Sequence, residues 1–306
     1  MNEICKKIKC RKESKRIYGG VVIINQDKLK SLVAKKALGS TYKSQIYFQL
    51  FYFERLLERI SKSKYKNYII LKGGLVLTSI IGSDDRTTKD MDATIKGIPL
   101  SENIIKEIFK EIFSIDLDDG VTFELISIKD IRLEDKYGGF RLNILSKLGN
   151  NKTYITVELT TGDEITPREI KFSYNSIFED KKIPIMAYNI ETILAEKFHS
   201  IISRGILNTR LKDFYDVYML FNFKEDIIDK KLLVKAIENT FKKRDTLIDI
   251  DEFVNLIDDL YNNDSLKKLW SEYQNKNTYA KGIDFVDVID SVKIIVNILE
   301  ETLITV

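Results

Sequence analysis

The sequence predicts an α+β protein, a mixed sheet with flanking helices followed by a C-terminal helical lobe. Three observations lead there. Residues 65–97 read as strand, Gly pair, helix, polar turn and second strand. Residues 121–160 switch to the two-residue alternation of strands. From Asn189 onward apolar residues recur every three or four positions, the spacing of a helix face. The expected division is an N-terminal lobe, 1–182, with its core at about 65–170, and a helical lobe, 183–306.

The chain opens on a basic arm. Seven Lys or Arg against two Glu in residues 1–16 give it +5, so the rest of the chain carries −2 of the total of +3. A near-neutral body gives no argument for nucleic acid, and such an arm is more often a solvated terminus than an RNA clamp. Asp27 to Leu38 reads as a short helix. Ser40 or Thr41 caps a longer one, in which Ile46, Leu50, Phe53, Leu57 and Ile60 fall at helical spacing. It is aromatic on several sides, so it should be packed over most of its surface.

Tyr68 to Leu71 is an apolar strand. Lys72, Gly73 and Gly74 end it, and Leu75 to Ile81 is of helical length. A polar turn, Gly82 to Lys89, leads to a second short strand with Asp90, Met91 and Asp92. After Pro99, Ser101 caps an amphipathic helix with Ile104, Ile105, Ile108, Phe109 and Ile112 inward. Residues 121–131, 140–148 and 152–160 then form an antiparallel meander. Its turns are Tyr137-Gly138-Gly139 and Gly149-Asn150-Asn151. In its last strand Ile155, Val157 and Leu159 point one way; Tyr154, Thr156, Glu158 and Thr160 point the other.

Ile183-Pro184-Ile185 reads as an extended linker into the second lobe. Asn189 caps a helix that ends at Gly205, with Leu194, Phe198 and Ile201 as its buried stripe. Ile193, Lys197, Ser200 and Arg204 form another line on it. The next helix carries Lys212, Asp213 and Asp216, where Lys212–Asp216 has the spacing of a surface ion pair. Asp284 opens a last helix with a strong apolar stripe from Phe285 to Leu299. The stretch from Asn262 to Lys281, with Trp270, is rich in Lys and Asn and could hold RNA, without a specific motif.

Composition narrows the chemistry. No run of 18 apolar residues exists, so no membrane span is expected. The N-terminus lacks the apolar segment of a secretory signal. Cys5 and Cys10 are the only cysteines, too few for a disulfide framework. These features point to the cytoplasm. His199 is the single His, which excludes zinc sites built on several His. A metal site must therefore rest on carboxylates, and His199 itself reads as structural.

Asp90 and Asp92 share one face of a strand, and Met91 points into the core. Adjacent carboxylates repel unless a cation lies between them, and hard oxygen ligands suit Mg²⁺. A Gly pair where a strand gives way to a helix lets backbone N–H groups approach a phosphate. An isolated Asp-x-Asp is usually a solvated strand face. The whole order, with Arg86 and Thr88 ahead of the acids, favours a site for a metal-bound triphosphate.

These residues carry a resemblance. The segment resembles the DNA polymerase β-like nucleotidyltransferase superfamily, and more narrowly the AbiEii/AbiGii toxin family. The matching positions are Lys72-Gly73-Gly74, Gly82-Ser83 and Arg86-Thr87-Thr88-Lys89-Asp90-Met91-Asp92. A third carboxylate is matched at Glu158 within Ile155-Thr156-Val157-Glu158-Leu159, followed by Gly162-Asp163 and Pro167; here Glu replaces the family's Asp. A second signature is matched by Leu194-Ala195-Glu196-Lys197, Arg204 and Arg210-Leu211-Lys212-Asp213-Phe214-Tyr215-Asp216.

The resemblance implies a polymerase-β-like lobe joined to a helical lobe, with the active site between them. It implies an Mg²⁺-dependent nucleotidyltransferase toxin of a bacterial toxin–antitoxin or abortive-infection system, which moves NMP from an NTP, with the 3′ end of tRNA as acceptor. Asp90, Asp92 and Glu158 are the expected metal ligands, and Lys197 and Asp213 join them as catalytic residues. Lys72, Gly73, Gly74, Ser83, Arg86, Thr88, Arg204 and Asp216 are the expected substrate contacts. The expected partner is an antitoxin protein, acting on the toxin or on transcription alone. Two alternatives stay open: a nucleotidyltransferase that modifies a protein or small molecule, and a nucleotide-binding regulator without turnover. Glu158 on a solvated strand face, and Lys197 and Arg204 as solvated cations, are the corresponding bland readings.

Overall fold

The computed structural model describes residues 17–18, 21–22, 24–82, 86–131 and 138–303. A small hairpin, β1 (Ile17–Tyr18) and β2 (Val21–Val22), precedes α1 (Gln26–Ala37) and α2 (Thr41–Lys62). The Ser40 hydroxyl accepts from the Lys43 N–H, so Ser40 is the cap of α2. Phe51, Tyr52, Phe53, Leu56 and Leu57 on α2 are all buried. That run of consecutive buried residues fits a helix enclosed on most sides.

The sheet has seven strands. They are β3 (Ile69–Lys72), β4 (Asp90–Ile95), β5 (Val121–Ile131), β6 (Gly139–Leu148), β7 (Asn151–Thr161), β8 (Ile170–Asn175) and β9 (Lys182–Ala187), in the order β5-β6-β7-β4-β3-β9-β8. The pairs β4–β7 and β3–β9 are parallel and the rest antiparallel, so the sheet is mixed as expected. α3 (Gly74–Ile81) and α4 (Glu102–Ser114) complete this region, with Ser101 capping α4 through the Ile104 N–H.

One expected connection is corrected. Ile183-Pro184-Ile185 is not a linker but the middle of β9, inside the sheet. Ile183, Ile185 and Ala187 are buried and alternate with exposed Lys182 and Pro184, which is a strand's period of two. Only Met186 and Ala187 pair with β3. The missing N–H of Pro184 therefore costs no ladder bond to β3. The partner strand β8 alternates Ile170, Phe172 and Tyr174 with Lys171, Ser173 and Asn175, but of these it buries only Tyr174.

The helical lobe comprises α5 (Ile190–Arg204), α6 (Leu211–Lys224), α7 (Lys230–Lys243), α8 (Ile250–Asn262), α9 (Asp264–Lys276) and α10 (Phe285–Leu303). Asn189 caps α5 through the Thr192 N–H, and Gly205, at φ +51°, ends it. Trp270 is buried, stacks on Tyr273 and donates its indole N–H to the Ile283 carbonyl. It is a core residue rather than an RNA contact. The buried apolar side chains of sheet and helices form one contiguous core. Among the described residues no helix is long and apolar enough to cross a membrane.

Candidate active site

The sheet register sets the site. Lys72 on β3 lies opposite Asp92 on β4, and Asp92 lies opposite Glu158 on β7. Three neighbouring strands thus place these three side chains in one row across one face. Asp90 lies opposite Thr156 on the same face. The row looks onto α5 and α6 across a cleft of about 650 Å³, within the usual range for small-molecule sites. Every expected site residue lines this cleft except two: Ser83 lies outside the described residues, and Asp216 is fully buried beside it.

The Gly pair is required by close approach. Gly73 sits at φ +59°, and a Cβ there would come 2.8 Å from Asp92 Oδ2. A Cβ on Gly74 would strike the Thr88 hydroxyl and come 3.0 Å from Arg86 Nη1. The turn from β3 to α3 is therefore pressed against both the acidic strand and its lead-in loop. Thr88 is buried and donates its hydroxyl to the Asp90 carbonyl at 3.2 Å, which fixes the start of β4.

The charged form of Asp90 is disfavoured where it stands. Desolvation in the cleft, then the charges of Asp92 and Glu158, push its pKa above the usual carboxylate value, with Lys212 and Arg141 opposing. Glu158 is held by Arg141 of β6, which donates to its Oε1 through Nε at 2.8 Å and Nη2 at 2.6 Å. Among the described residues no group of three His, Cys, Asp or Glu side chains is gathered as a ready-made metal cage. The donor chemistry of Asp90 and Asp92 fits a hard divalent cation, two adjacent carboxylates without a hydrogen-bonded cation of their own. Glu158 lines the same cleft, with its Oε1 held by Arg141 and its charge acting on Asp90.

The far wall is a charge network. Lys197 Nζ lies 2.9 Å from Asp213 Oδ1 and 2.7 Å from Asp216 Oδ2. Burial alone would lower its pKa, but the two carboxylates outweigh this and hold it up. Arg86 meets Asp216 through two bonds, Nε–Oδ1 at 2.9 Å and Nη2–Oδ2 at 3.0 Å, and its Nη1 donates to the Gly74 carbonyl and the Thr78 hydroxyl. The donors of Arg86 are thus spent within the protein. Ser200 donates to Asp213 Oδ2 at 3.0 Å and receives Arg204 Nη1 at 2.7 Å. Lys197 and Arg204 share a helix face, as their spacing predicts, and that face lines the cleft rather than open solvent.

The surface ion pair expected between Lys212 and Asp216 is not formed. Asp216 is 0% exposed and its carboxylate is taken by Arg86 and Lys197. Lys212 lines the cleft and makes no hydrogen bond or salt bridge among the described residues. Burial first, then the nearby guanidinium of Arg86, bring its pKa down to about 7 against the pull of Asp216 and Asp92. Sequence reasoning missed it because its i, i+4 partner was already in view.

Three more residues were not singled out. Asp163 accepts from Lys72 Nζ at 2.8 Å, Thr160 Oγ1 at 2.6 Å and the Tyr188 hydroxyl at 3.0 Å. Glu196 and Arg244 line the same end of the cleft, 3.8 Å apart. His199 lines it too, held by Thr246 at Nε2 and Arg244 at Nδ1, both 3.0 Å. Asp163 and Glu196 stand inside the matched motifs, which was the available signal.

A model of the nucleotidyl transferase AbiEii toxin family, of the Type IV toxin–antitoxin system, matches residues 55–290. The chain belongs to the AbiEii toxin family. This AbiEii-family chain is thereby a toxin-type nucleotidyltransferase, and its family implies an antitoxin partner. Among solved structures, JHP933 from Helicobacter pylori is similar at 16% identity and a TM-score of 0.46, covering 84% of this chain and 96% of its own. A second H. pylori structure, provisionally described as a nucleotidyltransferase, is similar at 16% identity and a TM-score of 0.46, with 84% and 97% covered. No curated protein matches the chain.

Proposed function

We propose that this AbiEii-family protein transfers a nucleoside monophosphate from an NTP to the 3′ end of an RNA, tRNA being the acceptor its family resemblance suggests. One observation carries the reading. Asp90 and Asp92 stand side by side without a hydrogen-bonded cation, facing a cleft that Lys212 lines without a salt bridge among the described residues, its ammonium form disfavoured by burial until an anion joins it. Anionic and cationic partners that leave each other unsatisfied are what a metal-bound triphosphate completes.

Asp90 and Asp92 would hold Mg²⁺, which when bound lowers the pKa of the acceptor hydroxyl and neutralises the leaving pyrophosphate. The first turn of α3 offers its N–H groups to phosphate, and glycine at 73 and 74 keeps the approach open. Lys212 takes the triphosphate contact. Lys197, Asp213, Asp216 and Arg86 hold α5 and α6 against the nucleotide turn. The acceptor hydroxyl gives its proton to water, and its oxygen bonds to the α-phosphorus as the bond to the pyrophosphate oxygen breaks. Such a displacement depends on positioning and charge neutralisation.

A regulator without turnover is the second reading, and the grip of Arg141 on Glu158 is what favours it. Incubation with labelled NTP, Mg²⁺, total RNA and total protein separates the readings. Label in the RNA fraction supports the proposal. Label in protein moves the acceptor to another class, and bound but unturned NTP identifies a regulator.

A further inference from the structure

The face that carries the acidic pair continues outward along the meander. Thr156 is opposite Asp90, and Tyr154 stands two residues earlier on the same face of β7. At about 3.3 Å per residue it lies roughly 7 Å along the strand from Asp90's level. Tyr154 is 63% exposed. The opposite face of the strand, with Ile155 and Val157, is fully in the core, so the tyrosine is not needed for packing. Beside it, Lys152 is exposed and makes no salt bridge among the described residues.

A second tyrosine lies toward the same end of β4, since β7 runs parallel to it. Lys89 immediately precedes Asp90, and its Nζ lies 4.7 Å from the ring centre of Tyr42. Tyr42 is 46% exposed on the first turn of α2. Lys89 also makes no salt bridge among the described residues. On the same face Arg141 is engaged with Glu158 and Lys147 with Glu124, while Lys129, opposite Arg141, is exposed. Two exposed rings, each near a lysine without a salt bridge among the described residues, therefore border the acidic pair.

Exposed aromatic rings interleaved with cations take unpaired bases by stacking and phosphates by charge. A duplex offers no free base faces to such rings. We propose that this surface seats the acceptor as single-stranded RNA. Bases stack on Tyr42 and Tyr154, phosphates meet Lys89 and Lys152, and the 3′ hydroxyl is delivered to Asp90 and Asp92. The inference rests on the nucleotidyl-transfer reading above and adds where, and in what form, the acceptor binds.

The test is fluorescence anisotropy with a 5′-labelled single-stranded RNA of about twelve nucleotides, compared with a blunt hairpin of the same composition. The single strand binds more tightly than the hairpin and is released as salt rises. Tyr154→Ala and Tyr42→Ala each weaken it about five- to hundredfold. Tyr154→Phe, which keeps the ring, restores wild-type affinity. NTP affinity, measured by calorimetry, is unchanged in all three variants. Equal binding of hairpin and single strand, or Ala variants that bind RNA like wild type, overturns the proposal. If label transfer to RNA persists in that case, only the platform fails. If wild type moves label to no RNA, the transfer reading fails first.

Discussion

Two lysines on neighbouring helices show how little a side chain's charge says about its task. Lys197 is enclosed by Asp213 and Asp216, whereas Lys212 faces the cleft without a salt bridge. Lys197→Ala should destabilise the protein by about 3–5 kcal/mol, because buried carboxylates lose their cation. Lys212→Ala should leave stability intact and weaken NTP binding roughly ten- to hundredfold, the loss of a charge-assisted contact. Urea unfolding and calorimetry on both variants check this; NTP affinity lost in Lys197→Ala alone, at unchanged stability, reverses the assignment. His199 makes a pH prediction at the same scale. Burial, then Arg244 and Arg204, lower its pKa from 6.5 to about 4. The folded protein refuses a proton that the unfolded chain accepts, so this stability is present above pH 6.5 and is lost as pH falls toward 4. The change amounts to roughly 3 kcal/mol. His199→Gln should flatten that part of the profile in urea midpoints measured from pH 7 to 4.5.

At the scale of elements, the turn between β3 and α3 is the part most sensitive to a single methyl group. Gly73→Ala adds a Cβ at φ +59° that meets Asp92 Oδ2. A backbone at φ +59° and ψ −126° costs a residue with a Cβ about 1–3 kcal/mol, and the contact displaces a proposed metal ligand. Transfer should fall by more than stability does, which stopped-flow turnover and thermal unfolding would show together; full activity in the Ala variant contradicts the placement. This turn was readable because two glycines cost backbone entropy, and between a strand and an apolar helix they mark a close approach. The meander was readable for a similar reason, since Ile155, Val157 and Leu159 alternate with polar neighbours and all three are buried. β8 and β9 were not. Pro184 reads as a break to any local rule, and β8 buries one residue. Their pairing is set by long-range contacts that no window of sequence contains. Lys212 was hidden for the same reason, because Arg86, 130 residues before Asp216, claims the carboxylate its spacing offered.

Across the whole molecule, Arg86 is the tie. It leaves the loop before β4, reaches the Gly74 carbonyl at the head of α3, and pairs with Asp216 of α6. One buried guanidinium thus fixes the nucleotide turn, the acidic strand and the helical lobe relative to each other. Arg86 and Lys197 outweigh burial and hold the Asp216 carboxyl below the usual range. Its contribution to stability is therefore present above the ordinary carboxylate pKa and is lost only in acid. On the proposed reading, this assembly serves nucleotidyl transfer at Asp90 and Asp92. The most direct test of that claim is single-turnover transfer of label from an α-labelled NTP to RNA in Mg²⁺, for wild type, Asp90→Ala and Asp92→Ala, with thermal unfolding run alongside. Wild type should transfer, and each variant should lose more than tenfold, over ~1.4 kcal/mol of barrier, at unchanged unfolding temperature. A variant that unfolds like wild type and keeps more than about a tenth of its rate would contradict the claim.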